Sequence, residues 1–180
     1  METIKLTNEK VMEIATVLDA LNVLNFDEKM YNDEKNSRTY WQKFVYAISR
    51  NTDIFGIVIK SIKKVLDPSK EYIEYDRKRY ELAQKYADLD KDGKPVINSN
   101  SYVVRINRDK FDKEIEILTK EYKTAIDNQN KLKDNMPQFL ETEEEVSYYK
   151  IKSEWVPLTL NAQQLRALLP LIDGEINKEV

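Results

Sequence analysis

Only carboxylates, lysines and hydroxyl side chains are left to carry acid–base or nucleophilic chemistry in this sequence, because its 180 residues include neither histidine nor cysteine. The missing imidazole removes the commonest general base near neutral pH, the commonest transition-metal ligand and every triad built on it. The missing thiol removes disulfides, thiolate nucleophiles and iron–sulfur or thiolate–zinc sites. Gly56, Gly93 and Gly174 are the only glycines, so neither G-x-G-x-x-G nor G-x-x-x-x-G-K-[ST] can be written anywhere in the chain. Carboxylate pairs remain, since glycosidic cleavage needs two acids at a defined separation and no imidazole. Among 32 acidic residues some pair always looks suitable. Only Glu154 beside Trp155, and Asp173 after Leu171 and Ile172, stand in apolar settings of the kind that raise a carboxyl pKa, and both read more simply as strand-edge and helix-end residues. The expectation is a protein that is not an enzyme, holds no cofactor and works by binding another macromolecule.

Three further constellations carry charge. Asp88, Asp90, Asp92 and Gly93 match the first half of a calcium loop, D-x-D-x-D-G. The second half departs: Ser99 stands where a bidentate glutamate closes such a loop, and Pro95 where a strand-pairing apolar residue belongs. A helix-exit turn with no metal site is the expectation. From Arg38 to Tyr80 ten Lys and Arg face five acids, with Tyr72, Tyr75 and Tyr80 interleaved, which could meet phosphates and stack on bases. The simpler reading is a solvated face with half-buried tyrosines. The residues offered for partner binding are Lys60, Lys63, Lys64, Arg77, Lys78 and Arg79, with Trp41 and Trp155. Glu141, Glu143, Glu144 and Glu145 form an acidic run that could imitate a phosphate backbone but reads first as solvated.

The elements that must position these groups follow from periodicity. Residues 2–6 alternate like a strand, and Thr7 or Asn8 caps a helix with Val11, Ile14, Ala15, Leu18 and Leu21 on one stripe, running to about Asn25. A polar interval, 26–37, reads as loop or ragged helical turn. Ser37 caps a second helix with Tyr40, Trp41, Phe44, Val45 and Ile48 in phase; Asn51-Thr52-Asp53 either interrupts or marks it, and Ile54, Ile57, Val58, Ile62 and Val65 continue the pattern. Asp67-Pro68 caps and restarts a tyrosine-striped helix reaching about Ala87. A turn at 90–93 precedes a hairpin over 94–107, and Asp109 caps a long helix ending near Asn135, before Pro137. Residues 147–152 and 155–160 have strand character, with Pro157 marking an edge. Asn161 and Gln164 resemble a capping box for a last helix bearing Leu165, Leu168, Leu169 and Ile172. A faint echo between 4–18 and 158–172 suggests that the terminal strands lie side by side.

Three stretches carry a likeness: Ile4 to Glu9 before the first helix, Tyr80 to Ala87 running into Asp88 to Val96, and Phe111 to Ile115 opening the next helix. In these the chain resembles an uncharacterised family of small proteins encoded by tailed phages of low-GC bacteria, over about half its length. The long aromatic second helix and the tail from Val146 onward depart from that pattern. The resemblance implies a phage origin, matching a Lys-, Asn- and Ile-rich composition, and carries no catalytic residues with it.

The fold class expected is α+β and predominantly helical: one domain over 1–180, a helical bundle with a small hairpin and short terminal strands. A net charge of −3 does not by itself favour a polyanionic partner, and no basic, then apolar, leader or spanning segment is visible. The functional expectation is a virion or assembly component acting through protein contacts, in the cytoplasm of an infected bacterium or in the particle. The alternatives are a soluble inhibitor of a host or defence protein and, third, a nucleic-acid-binding accessory factor. Self-association stays open and a membrane partner is not expected.

Overall fold

The structure is a computed structural model that describes residues 1–25, 27–32 and 35–174. Among these residues it has six α-helices and three two-stranded pairs, an α+β and mostly helical fold. Where the sequence reads as one domain, the residues group into two compact units: Met1–Val65 with Pro137–Val180, and Leu66–Met136.

The first unit opens with strand β1 (Glu2–Thr7) and helix α1 (Asn8–Leu21). The Thr7 hydroxyl accepts the Lys10 N–H at 3.2 Å, which satisfies one of the orphan donors of the first turn. Val11, Ile14, Val17, Leu18 and Leu21 are buried at helical spacing. The helix stops at Leu21, short of Asn25, where Asn22, Val23 and Asn25 are poor helix formers and the Leu24 N–H closes a turn onto the Leu21 carbonyl. A 3₁₀ turn, Glu28–Met30, occupies part of the polar interval; Phe26, Asp33 and Glu34 lie outside the described residues.

Helix α2 (Ser37–Leu66) is unbroken through Asn51. An asparagine inside a helix normally competes for nearby backbone groups. Here its side chain faces away from its own helix and bonds to both backbone groups of Tyr149: Nδ2 donates to the carbonyl at 2.8 Å, and Oδ1 accepts the N–H at 2.7 Å. Asn51 is fully buried, in line with Phe44, Ala47, Ile48, Phe55 and Ile62.

Strand β4 (Glu143–Tyr148) pairs antiparallel with β1, from Glu2 opposite Tyr148 to Thr7 opposite Glu143. Leu6, Val146 and Tyr148 are buried, while Lys5 faces Glu145 across the ladder on the outer side. The acidic run is therefore solvated as read, but Glu143 to Glu145 also belong to a strand. The terminal-strand expectation is corrected: β1 pairs with β4, and not with residues near 158. Strand β5 (Ile151–Lys152) pairs in parallel with β6 (Ile172–Asp173). Residues 155–160 form no strand. Ser153–Trp155 is a 3₁₀ turn, Pro157 is buried, and the Leu158 N–H bonds to the Met30 carbonyl. Helix α6 (Ala162–Leu168) carries the capping box, with the Asn161 side chain on the Gln164 N–H at 2.8 Å and the reverse bond at 3.0 Å. A 3₁₀ turn, Leu169–Leu171, carries Pro170 at its start, where its missing N–H is not needed, and Ile172 beyond it lies in β6 and not on the helix.

In the second unit, helix α3 (Lys70–Lys85) is capped by Ser69, whose hydroxyl takes the Tyr72 N–H at 3.1 Å. Asp67 and Pro68 precede the cap. The expected hairpin is short, β2 (Ile97–Asn98) against β3 (Ser101–Tyr102), turning through Ser99 at φ 46° and Asn100 at φ 63°, a left-handed pair suited to a two-residue connection. The one long helix expected after Asp109 is two, α4 (Arg108–Glu121) and α5 (Lys123–Glu141), with Tyr122 between them at φ −100° and ψ 16°. Asp109 lies in the first turn of α4; Asn107 precedes it. Helix α5 continues through Pro137, and the carbonyls of Phe139 and Thr142 at its end accept the Asn8 Nδ2 and backbone N–H, both at 2.9 Å. Carbonyls that a helix end leaves free thus find donors at the start of α1. Among the described residues no helix is long and apolar enough to cross a membrane.

Replacing Asn51 by Ala strips partners from a part-buried N–H and carbonyl at Tyr149 and leaves a cavity at a fully buried position. Chemical denaturation should read a loss of about 2–4 kcal/mol. A loss below about 0.5 kcal/mol would mean that Tyr149 does not depend on this side chain.

Candidate docking surface

The second unit is built on α3 and α4 lying side by side and antiparallel. Lys78 on α3 reaches Glu121 on α4 at 3.6 Å, and Lys85 reaches Glu114 at 2.9 Å. Between these crossing pairs runs a groove of about 430 Å³ floored by Leu82, Ile117 and Leu118. The Lys78 ammonium also donates to the Tyr122 hydroxyl at 2.7 Å and pairs with Glu74 at 3.2 Å, and these contacts raise its pKa above the ordinary lysine value. The Tyr86 hydroxyl, at 2.5 Å, and then Lys85 lower the pKa of Glu114. Lys78 and Glu114 therefore both keep their charge through the neutral range.

Apolar side chains in this unit are mostly half-buried, with few enclosed and several isoleucines exposed. Within Leu66–Met136 only Ala87 and Leu118 are buried; the remaining buried apolar residues belong to the first unit. Ile73, Leu89, Ile97, Ile106 and Ile117 are all exposed, Ile106 at 81% and Ile117 at 66%. The tyrosines pair with one another along the surface: Tyr72 with Tyr75, Tyr75 with Tyr122, and Tyr80 with Tyr102 at a ring separation of 5.0 Å. The tyrosine stripe expected on α3 is thus a string of half-exposed ring contacts.

The six cations offered by the sequence divide between the units. Lys60, Lys63 and Lys64 are exposed together on the last turns of α2 in the first unit. Arg77, Lys78 and Arg79 stand on α3 in the second, where Arg77 pairs with Glu81 at 2.6 Å and Arg79 with Asp76 at 2.8 Å. Much of the local basic excess on α3 is met by acids three, four or more residues away. Trp41 is half-buried with its ring 6.2 Å from Phe44. Trp155 lies between the ammonium groups of Lys43 and Lys152, at 5.6 and 5.7 Å from its ring. Its indole N–H donates to Glu154 at 3.1 Å and its carbonyl accepts the Tyr31 hydroxyl at 2.9 Å. Asp173 faces Lys150 at 3.5 Å, and Lys150 also holds Glu2 at 2.7 Å.

The half calcium loop folds as a turn. Asp88 accepts the N–H groups of Arg105 and Ile106 at 3.0–3.2 Å, and Asp90 those of Asp92 and Lys94 at 2.9 Å. Both carboxylates serve backbone donors of the loop that joins α3 to α4. Sequence reasoning missed the groove. One signal was present: Ile117 stands off the Phe111, Ile115, Leu118, Tyr122 stripe, flanked by Glu114 and Glu121 at i−3 and i+4.

Burial pushes the Tyr31 hydroxyl well above the ordinary phenol value of 10.0. The folded state thus keeps a proton that the unfolded chain releases, so stability is intact below pH 10 and falls as pH rises beyond it. Tyr31→Phe should cost about 1 kcal/mol at neutral pH through the lost bond to Trp155. The same variant should show a shallower alkaline decline in urea melts; an identical decline would rule out Tyr31 as a source.

No family model, curated protein or solved structure matches this chain.

Proposed function

We propose that this protein is a non-enzymatic interaction protein, an assembly component of a phage particle, which engages a protein partner through its Leu66–Met136 unit. The observation that carries this reading is the mismatch between the two units: one buries a continuous apolar core, the other buries two side chains and leaves isoleucines and tyrosines on its surface. Scattered apolar residues on a folded surface are ordinary, but an apolar-floored groove rimmed by charge has the anatomy of a protein interface. Aromatic and isoleucine side chains held on a rigid helix pair lose little freedom on docking, which favours affinity. The phage setting rests on the likeness in the three stretches from Ile4, Tyr80 and Phe111. A binding role is further supported by the occupation of the carboxylates: Asp88 and Asp90 hold backbone N–H groups, and Glu74, Glu81, Glu114 and Glu121 hold cations.

Particles purified by density from infected cells should contain the chain, and Ile73→Glu combined with Ile106→Glu should lower its incorporation about tenfold or more. Both positions are exposed, so each change should leave stability within about 0.5 kcal/mol. A chain absent from particles would overturn the assembly reading. Normal incorporation of the double variant would overturn this unit as the docking element.

A further inference from the structure

Resting on that docking reading, we infer that the α3/α4 groove is a self-association surface, and that its occupant is the same groove of a second copy, related by a two-fold axis parallel to the helices. The argument is charge geometry. Residue numbers rise along α3 as they fall along α4, so Lys78 stands level with Glu121 and Lys85 level with Glu114. Leu82 and Ile117, both lining the groove, fall at matching positions between those two levels.

When two such faces meet about an axis parallel to the helices, α3 of one copy lies over α4 of the other with heights preserved. Lys78 then faces the second copy's Glu121, and Lys85 its Glu114, so each end of the interface becomes a square of alternating charge. Ile117, two-thirds exposed in one copy, comes down over Leu82 of the other, and the apolar floors close on each other. An axis running across the helices instead lays α3 over α3 head to tail, setting Lys78 against Lys85 and Glu114 against Glu121. That arrangement opposes like charges at both ends. The remaining rim acid, Glu81, is already paired with Arg77 within α3 and does not disturb the alternation. A closed two-fold contact needs one self-complementary patch, and this groove meets that requirement. Charge of this kind selects the register and orientation, while the apolar floor supplies the affinity.

The test is the mass of the full chain in solution by sedimentation equilibrium, from about 1 μM to about 500 μM. The wild-type protein should reach the dimer mass within this range, and Ile117→Glu should weaken the dissociation constant at least about tenfold, with a thermal melt unchanged at concentrations where both chains are monomeric. Two charge variants fix the axis. Lys78→Glu with Lys85→Glu gives an all-acidic rim, and Glu114→Lys with Glu121→Lys an all-basic one. Each alone should be monomeric, and an equimolar mixture should restore the dimer. A wild-type chain that stays monomeric throughout, or an Ile117→Glu chain that dimerises like wild type, would overturn the inference. A dimeric wild type whose folded charge variants each still dimerise singly like wild type, as a crosswise axis requires, or do not recombine when mixed, would overturn the assigned axis. Should either charge variant fail to fold, the Ile117→Glu comparison decides alone. A monomeric wild type found in particles removes the second copy as occupant and leaves the docking reading standing, so the two failures are distinguishable.

Discussion

The first unit depends on one side chain to reconcile helix and strand. Asn51 sits at the middle of a 30-residue helix and bonds to both backbone groups of Tyr149, at the point where β4 ends and the chain turns toward β5. A strand end buried against a helix leaves peptide groups with neither water nor a ladder partner. An amide is the side chain that offers a donor and an acceptor together, so a single asparagine satisfies both. Its position fixes which face of α2 turns inward, and with it the buried series Phe44, Ala47, Ile48, Phe55 and Ile62. The β1–β4 pair, too small to be stable alone, gains its support from α1, whose first residue in turn closes the end of α5.

The second unit works by another balance. Leu118 and Ala87 are buried, most of its other apolar side chains are half-buried, and hydrogen bonds and ion pairs cross between its elements: Lys78 to Glu121, Lys85 and Tyr86 to Glu114, and Asp88 to the backbone before α4. Exposed ion pairs stabilise weakly, because water screens them and long side chains lose freedom in forming them. They serve better to fix the register of α3 against α4 than to hold the pair together. A unit of this kind gains stability when its apolar floor is covered. That physical incentive underlies both the protein-binding reading and the second copy as partner.

The sequence by itself determined the helical class, most helix positions, the cap at Asn161 and a cap at Thr7 or Asn8, of which the fold uses Thr7, because amphipathic spacing and short-range side-chain bonds are local properties. It also closed whole routes of chemistry, since a chain without imidazole or thiol lacks those groups in any fold. Only the tertiary structure decided what long-range pairing controls. Asn51-Thr52-Asp53 reads as either an interruption or a mark in the helix, and the choice is made only when Tyr149, distant in sequence, is brought to Asn51. Glu143 to Glu145 read as a solvated run and are exposed, but that they form a strand against β1 shows only in the fold. Pro137 reads as a helix stop, yet α5 runs through it to Glu141, where Asn8 donates to the carbonyls of Phe139 and Thr142. The cations of 38–80 read as one stretch, yet they fall in two units, and those on α3 meet acids of α3 and α4. The groove between α3 and α4 was legible only as an isoleucine out of phase, because a surface shared by two helices exists only once they lie together.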